Sequence, residues 1–144
     1  MPVEFVYNTK FKLFNESKIR TWLNTVAASE NSVLGNITYA FFNDNELKKL
    51  NKQFLNHNVY TDVISFDNSK SQLIEGDIAI STERVKENAK KYNVSFEEEL
   101  KRVMVHGLLH FLGYNDKTEE ERKLMKSKEN SKLKLFHEEP RKNV

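Results

Sequence analysis

In the segment His106-Gly107-Leu108-Leu109-His110-Phe111-Leu112-Gly113-Tyr114-Asn115-Asp116, two histidines stand four residues apart in an apolar run. On a helix that spacing stacks both imidazoles on one face, within reach of a single ion. Gly113 supplies a residue that takes the left-handed conformation at no steric cost and so ends the helix. The chain can then turn back, and Asp116 follows as a candidate third ligand. Two neutral imidazoles and a carboxylate, with a fourth position left to water, are the donor set of a catalytic zinc site rather than a closed structural one. Burying both histidines without a metal would require partners for several ring nitrogens, each unpaired one costing on the order of 1–3 kcal/mol. The pattern therefore predicts His106, His110 and Asp116 as the ligands of a single Zn2+ per chain. Asn115 is the neighbouring candidate, but a neutral amide is the poorer zinc ligand.

These residues need a scaffold, and the rest of the chain reads as one. Its 144 residues suit one domain, 1–144, with a real core, and 38% hydrophobic against 31% charged residues describes a folded protein with a heavily charged surface. A net charge of +2 is too small to argue for nucleic acid by itself. The absence of cysteine excludes disulfides and thiolate sites, so any metal must be held by His, Asp or Glu. Met1–Lys10 lacks a basic start followed by a long apolar run, and no stretch is long enough to span a membrane. A cytoplasmic protein without membrane contact is the expectation.

Strands are expected at Val3–Tyr7, with Lys10–Leu13 as a continuation after a turn, and at Ile37–Phe42, Val63–Phe66 and Leu73–Ser81. Ser17 is placed as the cap of a helix running to Ser29, with Ile19, Trp22, Leu23 and Val26 inward. Asn43 or Asp44 caps a short helix carrying Leu47, Leu50 and Phe54, and Ser81 or Thr82 starts another with Val85, Ala89 and Tyr92 inward. Ser95-Phe96-Glu97-Glu98 is a capping box opening the central helix, Phe96 to about Leu112. A second box, Thr118 to Glu121, opens a last helix with Leu124, Met125 and Leu133 apolar, and the tail from His137 is polar and frayed. The fold class is α+β: a mixed sheet of about four strands, helices packed mainly on one side, and the metal site on the central helix.

The His-x-x-x-His spacing is shared with zinc proteases of the His-Glu-x-x-His type, whose glutamate is the general base. Gly107 occupies that position here, so the base is missing. The chain instead resembles the YbeY family of bacterial single-strand-specific metallo-endoribonucleases. The resemblance rests on His106-Gly-x-Leu-His110-x-x-Gly113-Tyr114, on Thr61-Asp62-Val63-Ile64-Ser65-Phe66 and on Gly76-Asp77-Ile78, in matching order and spacing over nearly the whole chain. It implies an RNA hydrolase that matures the 3′ end of small-subunit (16S) ribosomal RNA and serves ribosome quality control. The implied partners are single-stranded ribosomal RNA and the small subunit with its proteins. Two positions depart from the family pattern. The usual third ligand is a histidine where this chain has Asp116, so the site carries one less positive charge and its water should be less acidic. The usual arginine before the Thr-Asp segment is Leu55.

Arg102, four residues before His106, shares the ligands' helix face and is either a phosphate contact or a solvated arginine. His57, Thr61, Asp62 and Ser65 are candidates for lining the substrate site, with an exposed loop residue the plainer reading of His57. Lys123, Lys126, Lys128, Lys132 and Lys134 make the last helix basic, either as a solvated face or as a track for single-stranded RNA. Two other classes of function stay open: a zinc hydrolase of an amide or peptide bond, which Gly107 opposes, and a non-catalytic ribosome-assembly factor with a structural metal, which Leu55 favours.

Overall fold

A computed structural model describes residues 3–137, and the polar tail beyond His137 lies outside the described residues. The elements run β1 (Val3–Tyr7), α1 (Glu16–Ser29), β2 (Val33–Phe42), α2 (Asp44–Leu55), β3 (Val63–Asp67), β4 (Leu73–Ser81), α3 (Thr82–Tyr92), α4 (Phe96–Phe111) and α5 (Glu119–Phe136). The strands form one mixed sheet in the order β1-β2-β4-β3. β2 is parallel to both β1 and β4, and β3 runs antiparallel to β4.

Alternation along the central strands assigns the two faces. Ile37, Tyr39 and Phe41 of β2 and Ile74, Ile78 and Ile80 of β4 are buried in the main core with α1 and α4. Ala79, Ile64 and Leu47 form a smaller cluster under α2, with Phe42, Leu50 and Phe66 at its edge. The α+β architecture with helices mainly on one side is thus the observed one. α4 lies against β3 and β4 and is flanked by α3 and α5. A helix covered on several sides must be apolar on several sides, and Leu100, Val103, Met104, Val105, Leu108 and Leu109 are all buried. The hydroxyl of buried Tyr39 donates to the Met104 carbonyl at 2.9 Å, tying sheet to helix.

Several boundaries move from those expected. Asn15, not Ser17, caps α1, its side chain accepting from the Lys18 amide at 3.1 Å. Lys10–Leu13 does not extend β1; the Phe11 amide bonds back to the Thr9 carbonyl at 2.8 Å and the chain turns. β2 begins four residues before Ile37, at Val33, because a register shift between Leu34 and Ile37 absorbs Gly35-Asn36 instead of ending the strand. Tyr92 and Leu124 face outward, at 57% and 50% exposure. Both boxes supply their N-cap bond, from Ser95 to the Glu98 amide and from Thr118 to the Glu121 amide, but only Thr118/Glu121 closes reciprocally.

Candidate metal centre

α4 places His106 and His110 one turn apart at its C-terminal end. The turn that follows is a Schellman motif: the Gly113 amide donates to the His110 carbonyl at 3.1 Å and the Tyr114 amide to Leu109 at 3.0 Å. Gly113 has φ +102°, the conformation a side chain disfavours. This turn folds the Tyr114 carbonyl back onto His110, whose Nδ1 donates to it at 2.9 Å. The Glu121 carboxylate then takes the amides of Lys117 and Thr118, at 3.1 and 2.9 Å, pinning the far end of the loop. Asp116 sits between these two anchors.

The three expected ligands converge. His106 Nε2 and His110 Nε2 are 3.0 Å apart, and Asp116 Oδ2 lies 3.2 and 3.3 Å from them. A tetrahedral ion with ligand bonds near 2.0–2.2 Å separates its ligands by roughly 3.3–3.6 Å, so a small opening of the cluster is all that metal requires. Protonation argues the same way. The partners of the two Nδ1 atoms are acceptors, the Tyr114 carbonyl and the Glu129 carboxylate, the latter 2.6 Å from His106 Nδ1. Both protons therefore belong on Nδ1, and neutral rings turn both Nε2 lone pairs toward the Asp116 oxygen. Three electron-rich atoms at such distances need a cation or an extra proton between them. The His/His/Asp cluster fits a metal ion.

Glu129 is the residue that sequence reasoning missed. It belongs to the buried stripe of α5, four residues after Met125 and four before Leu133, where an apolar residue is expected. A carboxylate inside an apolar stripe was the available signal. Its other oxygen accepts from Arg102 at 2.9 Å, and Arg102 also donates to Asn130 at 2.8 Å. Burial pushes the His106 pKa down, but Glu129, and behind it Asp116 and Asp62, outweigh it and hold the pKa above the usual histidine value.

A cleft of about 690 Å³ opens beside this cluster, with His106 and Arg102 of α4 in its lining. Asp62 and Val63 line it, as do residues of α3 and α5. The Asp62 carboxyl accepts from Asn88 at 3.3 Å, and burial lifts its pKa despite the opposing charge of His106. Burial likewise lifts Glu99, also in the lining, against the pull of Arg102. With Asp116 and Glu129, four carboxyl groups line this cleft, a surface suited to a cation. Ser65 faces α4, its Oγ 3.2 Å from where a Cβ on Gly107 would stand. Thr61 is half-buried, with a long 3.4 Å contact from its hydroxyl to the Val63 carbonyl. His57 is exposed in the loop after α2 and is not among the cleft's lining residues.

Gly107 has a packing reason. A Cβ there would meet Ile78 side-chain atoms at 3.0 and 3.1 Å besides Ser65. The position faces the sheet, so a glutamate would neither fit nor reach the metal face. Of the lysines expected on a basic face, Lys132 is buried, donating to Glu30 at 2.7 Å and Ser29 at 2.9 Å, and Lys128 lies 3.7 Å from Glu30. These two tie α5 to α1 instead of tracking a ligand.

The family model for "Endoribonuclease YbeY" matches residues 6–137. The chain belongs to the YbeY family. It is 52% identical over 135 residues to an endoribonuclease YbeY of Flavobacterium psychrophilum, covering 94% of this chain and 96% of that one. A Flavobacterium johnsoniae endoribonuclease YbeY is 50% identical over 137 residues, covering 95% of this chain and 99% of the relative. The solution structure of TM1509 from Thermotoga maritima superposes with a TM-score of 0.68 at 26% identity, over 93% of this chain and 88% of that one. No helix among the described residues is long and apolar enough to cross a membrane.

Proposed function

We propose that this protein is a zinc-dependent, single-strand-specific endoribonuclease acting in 3′-end maturation of 16S ribosomal RNA and in late ribosome quality control. Its whole chain, 1–144, acts as one domain in the cytoplasm, with the small ribosomal subunit as partner. The observation that carries the reading is the convergence of His106, His110 and Asp116 beside an open cleft, in a chain of this family.

His106, His110 and Asp116 hold one zinc ion through Nε2, Nε2 and a carboxylate oxygen. Bound there, the ion supplies Lewis acidity toward water and a phosphoryl oxygen. Glu129 and the Tyr114 carbonyl keep both histidines in the ligating tautomer. The carboxyl groups beside the histidines repel RNA phosphate unless a cation offsets them, which makes substrate approach at that end of the cleft depend on the ion. Arg102, part-exposed on the cleft surface, adds positive charge where a phosphate beside the ion would lie. Thr61, Asp62 and Ser65 shape the β3 side of the substrate site. A peptidase is the weaker reading because Gly107 packs on the sheet and provides no base.

Elemental analysis and cleavage of end-labelled RNA test this, comparing wild type with His110→Ala. About one zinc per chain, lost in the variant together with cleavage of single-stranded RNA, is the expected result. A metal-loaded wild type that binds RNA but never cuts it would replace this reading with a ribosome-assembly factor holding a structural metal, as Leu55 at the family's arginine position would favour.

A further inference from the structure

The metal cleft has two side walls of unlike chemistry. α3 and α5 both pack against α4. At the end of α3 the cleft is lined by Tyr92 and Val94, exposed at 57% and 44%. An amphipathic helix would normally turn a residue such as Tyr92 inward, and here it stands in solvent at the end of α3, with Val94 of the following turn beside it. On the α5 side the lining includes Arg122 and Lys126. Neither has an ion pair among the described residues, whereas Lys128 and Lys132 are held by Glu30. Arg122 spends one N–H on the Lys117 carbonyl at 2.8 Å and keeps the others. The uncommitted cations of α5 thus include two on the cleft, opposite an exposed aromatic ring.

We propose that these residues form a nucleotide subsite for single-stranded RNA next to the metal. Tyr92 takes the face of an unpaired base, and Lys126 and Arg122 take phosphates adjoining the one at the metal. The inference rests on the endoribonuclease reading above and adds where the neighbouring nucleotide lies. Arg122 and Lys126 are one helical turn apart, about 6 Å along the axis, the scale of one nucleotide repeat. Lys91, whose ammonium stands 5.6 Å from the centre of the Tyr92 ring, brings a further cation to that wall. A ring offers every base a π-face, so the subsite tolerates sequence. It refuses a duplex, because a paired base has its faces stacked on its neighbours.

The test uses the full protein as purified, with a 2′-O-methylated single-stranded oligonucleotide carrying 2-aminopurine. Anisotropy reports binding and fluorescence quenching reports stacking. Tyr92→Ala is expected to weaken binding about tenfold and abolish the quenching, while Tyr92→Phe keeps both. Lys126→Ala should flatten the slope of log affinity against log salt by about 0.7. Metal content should stay at the wild-type level in all three, since none of these side chains touches a ligand. Wild-type binding and quenching in Tyr92→Ala, beside a wild type that binds and cuts, would overturn the subsite alone. Loss in Tyr92→Phe equal to that in Tyr92→Ala would overturn stacking as its basis. A wild type that neither binds nor cuts single-stranded RNA would overturn the endoribonuclease reading as well.

Discussion

His106 and His110 are the same residue type on one face of one helix, one turn apart, yet their outer contacts differ in kind. His106 leans on a side-chain carboxylate, Glu129, on another helix, itself engaged by Arg102. His110 leans on a main-chain carbonyl of the turn that ends its own helix. The second anchor is local: Gly113 sets the Schellman turn, and the turn sets the carbonyl. The first is long-range, joining positions 23 residues apart through tertiary packing. An anionic partner raises the basicity of its imidazole and makes it sensitive to pH and to substitution. A peptide carbonyl orients its ring with little change of charge. One imidazole is therefore tuned and the other is merely aimed.

Glu129→Gln should expose that contrast most strongly. The amide keeps the size but loses the charge, leaves Arg102 without its ion pair, and can present the wrong atom to His106. Metal affinity, measured by competition with a chromophoric chelator, should fall about 10–100-fold. An unchanged affinity would mean that both rings are only aimed, and the contrast would collapse.

Acidity is the second handle. Burial lowers the His106 pKa, but Glu129, with Asp116 and Asp62 behind it, outweighs burial and holds it above the usual value of about 6.5. Metal binding needs the neutral ring, so affinity should begin to fall on acidification while the pH is still above that value, losing about tenfold per unit thereafter. The metal-free fold should respond in the opposite sense. The stabilisation from protonated His106 is fully present below the unfolded pKa and is lost as pH rises through the raised folded pKa. Mild acidification should thus release metal while strengthening the metal-free fold against urea. In Glu129→Gln the affinity curve should move to lower pH, and a curve that stays in place would assign the titration to another group.

That contrast also marks what the sequence made legible. The strands and helices of the described residues, and the clustering of His106, His110 and Asp116, follow from period, caps and spacing within short windows. His106-x-x-x-His110, Gly113 and the Thr118/Glu121 box are all local signals, and so is the His110 anchor once the turn is recognised. Glu129 left only its place in the apolar stripe of α5, and its contacts with His106 and Arg102, like the Tyr114–Glu30–Lys132 network, were not legible because each joins elements distant in sequence. Charged residues alternate so densely along α5 that Glu129 and Lys132 look like solvated surface until packing turns them inward. Tyr92 failed the other way: its position is regular, but α3 ends there and nothing covers it.

The smallest expected effect is at the His110 anchor. Tyr114 donates its hydroxyl to Glu30 at 2.5 Å, and Glu30 also accepts from Lys132 at 2.7 Å. Tyr114→Phe removes that hydroxyl but leaves the carbonyl that His110 uses and leaves Glu30 its lysine. Stability to urea should fall by about 1 kcal/mol for a part-exposed hydrogen bond to a charged group. Metal affinity should change by less than about threefold, because the Schellman turn, not the ring, places the carbonyl. A drop in affinity comparable to that of Glu129→Gln would show that the loop is held chiefly through the Tyr114–Glu30 contact. The two histidines would then share one mechanism, with side-chain carboxylates from other elements, Glu129 of α5 and Glu30 at the end of α1, positioning both.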